Sequence, residues 1–287
     1  MEGIVIRGLG GLYEVLCDGQ VYRCRGRGGL KRDRNILYVG DRVEFSEDAI
    51  SKILPRRSVL PRPAVANLDK LFIVVALSDP LPNLYTLDKL TVIAEHCGVS
   101  PVLVLNKTDL DDPLHVKEIY TSIGYPCFSV CGKTGENVER LRELMKGQSC
   151  AFAGLSGVGK STLMNVLAPE VVRQTGEISR KLQRGRHTTR AVELYPFEGG
   201  FLADTPGFSE LEFSPCGLYD RTLLANCFPE FEPYTEDCFF HDCAHGKEKN
   251  CAVRQAVEQG KIPRSRYENY LRMYQEIGPL RLWEVSK

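Results

Sequence analysis

The sequence predicts a multidomain chain, with a small all-β barrel, then a central α/β domain on a doubly wound sheet, then a short helical segment ordered by a Cys/His cluster. Three observations carry this. Residues up to about 60 alternate apolar and polar side chains in short runs, apolar strand-length runs interleave with helical stretches from Asp69 onward, and Cys238, Cys243, His245 and Cys251 recur at ligand-like spacing. With 287 residues and 43% hydrophobic content, the chain has material for two or three cores.

The barrel strands are expected at "GIVIRG", "LYEVLC", "QVYRCR" and "DRVEFS", divided by Gly and Asp turns. "PRRSVLPRPAVAN" follows with three prolines and reads as a linker, since proline removes ladder donors. Strands are then expected at "LFIVVAL", "PVLVL", "PCFSV", "SCAFAG", "AVELYPF" and "FLADTPGF", with helices at "LYTLDKLTVIAEHCG", "LHVKEIYTSIG", "NVERLRELMKG" and "STLMNVLA". The resulting units are residues 1–62, 63–215 and 216–287. In the final helix, "RSRYENYLRMYQEIG", Tyr267, Tyr270, Leu271 and Tyr274 form a core face, and Arg264, Arg266 and Arg272 are left for RNA or solvent.

No apolar run approaches the roughly 18 residues of a membrane span, and "MEGIVIRGLG" is not a secretory leader, so a cytoplasmic protein with no membrane partner is expected. Eleven cysteines then read as thiols or metal ligands rather than disulfides. The formal net charge is zero, but up to Pro63 twelve basic residues face eight acidic ones. "RCRGRGGLKRDR" concentrates the excess in one glycine-broken loop, suited to phosphate backbone or simply solvated.

Chemistry enters at "GLSGVGKS". Gly154, Leu155, Ser156, Gly157, Val158, Gly159, Lys160, Ser161 and Thr162 join a strand to a helix as a phosphate loop does. Its glycines let backbone amides approach phosphates, Lys160 reaches the β and γ oxygens, and Ser161 binds Mg²⁺. "DTPG" ends another apolar strand, where Asp204 can hold Mg²⁺ through water and the Gly207 amide can sense a γ-phosphate. "NKTD" supplies base choice. Asn106 braces the loop, Lys107 lies along the base, and Asp109 accepts from the N1 and N2 hydrogens of guanine, a donor pair that adenine lacks.

These motifs stand in an unusual order, with "NKTD" ahead of the phosphate loop. A Ras-like sheet is ordinarily threaded as phosphate loop, switch I, DxxG, NKxD, guanine loop. Started after DxxG, the same circle gives the order found here, with the guanine loop "SVCGKTGEN" beginning at Ser129 and Val130, and switch I at "GRHTTR". Each element occurs once, so the reading is a circularly permuted P-loop GTPase domain that takes GTP and GDP with Mg²⁺.

Through "NKTD", "GLSGVGKS", "GRHTT", "DTPGF" and "CFFHDCAHGKEKNC", nearly the whole chain resembles the circularly permuted, ribosome small-subunit-dependent GTPases of the RsgA family, also called YjeQ or YloQ. The resemblance implies an N-terminal OB-fold, a permuted GTPase domain and a C-terminal zinc domain. It also implies a role in late maturation of the 30S subunit, with that subunit and its 16S rRNA as partners of a monomer. Val130 stands where members often carry Ala, and Arg190 where some carry Thr.

Independently of the resemblance, Cys238, Cys243, His245 and Cys251 form C-x4-C-x-H-x5-C, three thiolates and an imidazole for one tetrahedral zinc. Four protein ligands leave no open position, so the site reads as structural. His241 competes with His245 on spacing alone.

The catalytic group is less legible. Phe208 follows the DxxG glycine, where Ras-like enzymes place a water-orienting Gln, and an apolar ring cannot position water. His187 is the nearest substitute, either accepting a hydrogen bond from water or only contacting the partner, and Thr188 or Thr189 coordinates Mg²⁺. The expected function is a GTPase whose hydrolysis times release from the 30S subunit. An RNA-binding protein with GTP as a latch stays open beside it, and "NKTD" argues against a P-loop ATPase or kinase.

Overall fold

The computed structural model describes residues 1–26, 36–173, 192–204 and 212–278. Five strands, β1 (Glu2–Leu9), β2 (Leu12–Cys17), β3 (Gln20–Gly26), β4 (Arg42–Ser46) and β5 (Ala49–Ile53), run in the order β1-β2-β3-β5-β4, and β4 pairs back onto β1 to close an OB-like barrel. All neighbours are antiparallel except β3 and β5. The turn Asp18-Gly19 has φ of 48° and 78°, the paired positive values that match a two-residue hairpin to strand twist. The alternation seen in the sequence buries Val5, Val15, Cys24, Val43, Phe45 and Ile50 inside.

The proline-rich stretch is not an extended linker. Val59–Leu60 (β6) and Val65–Ala66 (β7) fold into a short antiparallel hairpin, with Leu60, Val65 and Ala66 buried. Its prolines flank or turn the hairpin and so cost no ladder hydrogen bonds. Asn67 locks it in place, donating from Nδ2 to the Gly40 carbonyl at 2.9 Å and accepting the Arg57 amide at Oδ1 at 2.9 Å.

The central sheet contains the six expected strands: β8 (Lys70–Ala76), β9 (Ser100–Asn106), β10 (Cys127–Ser129), β11 (Ser149–Ala153), β12 (Glu193–Phe197) and β13 (Gly200–Asp204). Their order is β10-β9-β8-β11-β13-β12, parallel throughout except for β12 against β13. Helices α1 (Leu84–His96), α2 (Leu114–Thr121), α3 (Val138–Met145) and α4 (Lys160–Leu167) cover both faces. Strand β8 shows why it reads as a continuous apolar run. Leu71, Ile73 and Val75 enter the core beneath α1, while Phe72, Val74 and Ala76 enter the core beneath α3 and α4. Strand β12 reaches β1 through the pair Arg7 and Glu193, so barrel and sheet are continuous there.

Beyond Glu212 the chain passes through three 3₁₀ turns, Ser214–Cys216, Arg221–Cys227 and Pro229–Phe231, and then α5 (Glu232–Thr235), α6 (Ala252–Glu258) and α7 (Arg264–Ile277). Phe228, Phe231, Val253, Tyr270 and Met273 pack into the same core as Leu87, Leu90 and Ile93 of α1, so this segment shares a core with the sheet. The expectation that Arg266 meets RNA or solvent fails, because its side chain is fully buried and paired with Asp88 and Glu230. Arg272 lies 3.7 Å over the Tyr85 ring. Among the described residues no helix is long and apolar enough to cross a membrane.

Candidate functional site

Strand β11 ends at Ala153, and the loop Gly154–Gly159 feeds α4, which begins at Lys160. Positive φ values of 135°, 81° and 95° at Gly154, Gly157 and Gly159 set the loop's path. A Cβ at Gly154 would sit 2.3 Å from the Val74 carbonyl oxygen, and one at Gly159 would sit 2.3 Å from Asn106 Nδ2, so neither position admits a side chain. Val158 anchors the loop by burial, and Leu155 packs against the same core, leaving Ser156 and Ser161 exposed on the outer side. Lys160 folds over the loop, donating to the carbonyls of Gly154 at 2.6 Å and Leu155 at 2.7 Å. Burial pushes its ammonium below the ordinary lysine range.

Asn106, at the end of β9 and 2% exposed, joins three elements. Its Nδ2 donates to the Val158 carbonyl at 2.9 Å, and its Oδ1 accepts the Gly132 amide at 2.9 Å. One amide thus fixes the tetrad, the phosphate loop and the loop after β10 together. Lys107, at φ 66°, donates from Nζ to the Asp79 carbonyl. Asp109 accepts the Cys131 thiol at Oδ1 at 3.3 Å, with Lys133 Nζ 4.0 Å from Oδ2.

Asn106, Lys107, Asp109, Leu110, Gly132, Lys133, Gly159 and Thr162 line a cleft of about 200 Å³. Ser129 ends β10, Val130 is fully buried, and neither lines this cleft. The residues beside the tetrad are Cys131, Gly132 and Lys133, one to three positions further on than Val130. Spacing marked where the loop begins, and the end of β10 decides which of its residues reach Asp109. Asp204 closes β13, the parallel neighbour of β11, in register with Glu193 on β12. His187, Thr188, Thr189, Gly207 and Phe208 lie outside the described residues, as do Arg27, Lys31 and Arg32.

The second cluster joins Cys238, Cys243, His245 and Cys251, whose ligand atoms all lie within 4.8 Å of one another. Cys238 Sγ to Cys251 Sγ is 3.9 Å, and His245 Nδ1 is 3.7 Å from Cys238 Sγ and 3.5 Å from Cys251 Sγ. Bond lengths near 2.3 Å to sulfur and 2.05 Å to nitrogen give tetrahedral edges of about 3.8 Å and 3.6 Å, so the donor set fits one such ion. His245 is buried and His241 exposed, which resolves the competition between them. Glu248 accepts the amides of Ala244 at 3.2 Å and Gly246 at 2.7 Å, while the hydroxyls of Tyr267 and Tyr270 donate to the carbonyls of His245 at 2.7 Å and Ala244 at 2.8 Å. Helix α7 therefore holds the loop that presents the imidazole.

Comparison with known proteins agrees across the chain. Residues 2–52 match the RsgA N-terminal domain, and residues 53–214 match the RsgA GTPase. A protein of Caldanaerobacter subterraneus subsp. tengcongensis named small ribosomal subunit biogenesis GTPase RsgA is 41% identical over 286 residues, covering 96% of each chain. One of the same name from Streptococcus pneumoniae is 40% identical, covering 96% of this chain and 94% of the relative. The crystal structure of YjeQ from Thermotoga maritima superposes with a TM-score of 0.82 at 36% identity, covering 96% of this chain and 98% of that one. That of YloQ, described as a circularly permuted GTPase, gives 0.79 at 32% identity over 96% and 94%. With the tetrad, phosphate loop and Cys/His cluster assembled in permuted order and relatives matched from end to end, the chain belongs to the RsgA family of circularly permuted GTPases.

Proposed function

We propose that the chain binds the small (30S) ribosomal subunit through its 16S rRNA and acts in late maturation of that subunit, with hydrolysis of GTP to GDP and phosphate timing its release. The observation that carries this reading is Asn106, which ties the tetrad to both the phosphate loop and the loop after β10. That convergence is what a guanine nucleotide requires, and the relatives named above act in small-subunit biogenesis. The units are 1–62 for RNA contact, 63–215 for the nucleotide and 216–287 for the metal, working as a monomer in the cytoplasm.

Within the site, Asp109 accepts from guanine, with Lys107 along the base. Amides from Gly154 to Lys160 cradle the phosphates, whose charge offsets the desolvation of Lys160. Ser161, one of Thr188 and Thr189, and Asp204 through water would hold Mg²⁺, which would supply positive charge to neutralise the phosphates. The Gly207 amide senses the γ-phosphate, and His187 orients the attacking water. Cys238, Cys243, His245 and Cys251 would hold one structural zinc.

Turnover measured with separated subunits tests the reading. Because Phe208 cannot orient water, hydrolysis by the free protein should be slow, and 30S subunits should raise it by about 10³ to 10⁵, as partners that complete a GTPase site do. Subunits of the 50S class should not. His187→Ala should lose most of the stimulated rate while 30S binding survives. No acceleration by 30S subunits would sink the ribosome-activated mechanism and favour a latch.

A further inference from the structure

Helix α1 carries one lysine that reaches two segments distant in sequence. Lys89 Nζ donates to Glu212 Oε2 at 2.8 Å and to Glu276 Oε1 at 2.9 Å, and it lies 4.7 Å from the centre of the Phe213 ring. Glu212 and Phe213 follow "DTPGF" closely in sequence, and Glu276 sits in the last turn of α7. A lone exposed ion pair contributes about 0 to 1 kcal/mol and would carry no argument. Here the lysine side chain is only 12% exposed, is shared by two carboxylates and is backed by a buried aromatic ring.

The far side of the joint is also fixed. Glu276 accepts the Tyr85 hydroxyl, and Arg272 stacks over that same ring. From Glu276, α7 runs back to Tyr270 and Tyr267, whose hydroxyls hold the Ala244 and His245 carbonyls of the Cys/His loop. A continuous set of contacts therefore leads from Glu212 through Lys89 and α7 to the metal loop. Glu212 and Glu276 share one ammonium, so a displacement of either carboxylate that carries Lys89 with it changes the hold on the other.

We propose that Lys89 is a positioning residue of the nucleotide cycle, holding the segment after the DTPG loop against α7 so that a GTP-dependent displacement there reaches the Cys/His loop. This rests on the GTP-site reading above. Lys89 touches neither nucleotide nor metal ligand, and its work is to transmit.

The test is amide hydrogen exchange across 264–277 in the full-length protein, with GDP and with a non-hydrolysable GTP analogue, nucleotide binding being measured in parallel. In the wild type, exchange in α7 should differ between the two nucleotides. Lys89→Met should lose that difference with both nucleotides still bound, Lys89→Arg should keep it, and Glu276→Gln should lose it from the other side. Glu212 and Glu276 are 59% and 39% exposed, so water can solvate them when the ammonium is gone and the fold survives. A difference that persists in Lys89→Met overturns the proposal, as does its absence from nucleotide-bound wild type. Failure of wild type to bind either nucleotide strikes the GTP-site reading instead, and the proposal with it.

Discussion

Arg266 and Asp88 form a buried ion pair across 178 positions of sequence, at 2.8 Å with 0% and 1% of their side chains exposed. The guanidinium also donates to Glu230 Oε1 at 2.7 Å and to Thr91 Oγ1 at 3.0 Å, while Asp88 accepts the Tyr120 hydroxyl and the Asn269 amide, each at 2.6 Å. The rings of Phe228, Tyr125 and Tyr120 enclose the cation. Every partner of the pair is thus fixed, and the pair fastens α7 to α1.

Removing one member of such a network leaves buried charge behind. Arg266→Met should destabilise the protein by about 3 to 5 kcal/mol, because Asp88 and Glu230 lose their counter-ion inside the core. Arg266→Lys should recover little, since an ammonium cannot fork to both carboxylates. Thermal unfolding of Arg266→Met at the wild-type temperature would refute the clamp.

Arg266 also marks where the sequence stops being legible. The helical spacing of Tyr267, Tyr270 and Tyr274 located the core face of α7, but nothing local announced that Arg266 has carboxylate partners 36 and 178 positions away. The phosphate loop, the tetrad and the Cys/His cluster were readable because each is written within a few residues, and their cyclic order gave the topology. The guanine loop was located but not its contacts, since the reach of β10 is set by pairing with β9. The prolines of 55–67 concealed the β6–β7 hairpin, whose stability comes from burying Leu60 and Val65 rather than from its own propensity.

Purified protein should carry about one zinc per chain, as four deprotonatable ligands at tetrahedral separations make one closed site. Cys243→Ser should lose the ion and loosen α6 and α7, with GTP binding largely intact because the nucleotide cleft shares no residue with the cluster. Metal analysis is the check, and zinc-free wild type would end the reading.

The barrel should contribute a salt-dependent part of ribosome affinity. Replacing Arg25, Arg27, Lys31 and Arg32 with Ala removes four cations from one short stretch of sequence that begins on β3. Each lost phosphate contact should flatten the slope of log affinity against log salt by about 0.7 to 0.9. An unchanged slope would mean that these side chains are only solvated.

Base choice follows from Asp109, whose carboxylate is held by the Cys131 thiol at 3.3 Å at the edge of the cleft. A carboxylate accepts from the N1 and N2 hydrogens of guanine. An amide in its place turns one acceptor into a donor and faces a donor with it. Asp109→Asn should therefore weaken GTP by about 1 to 3 kcal/mol for each hydrogen bond lost, and should favour xanthosine triphosphate, whose oxygen at C2 accepts from the new amide. Asn106→Ala should behave differently. It removes the bonds to Val158 and Gly132 that align both loops, so it should weaken both nucleotides alike and rescue neither. Competition binding of the two triphosphates to the two variants separates reading from alignment, and unchanged GTP affinity in Asp109→Asn would remove the tetrad from the site.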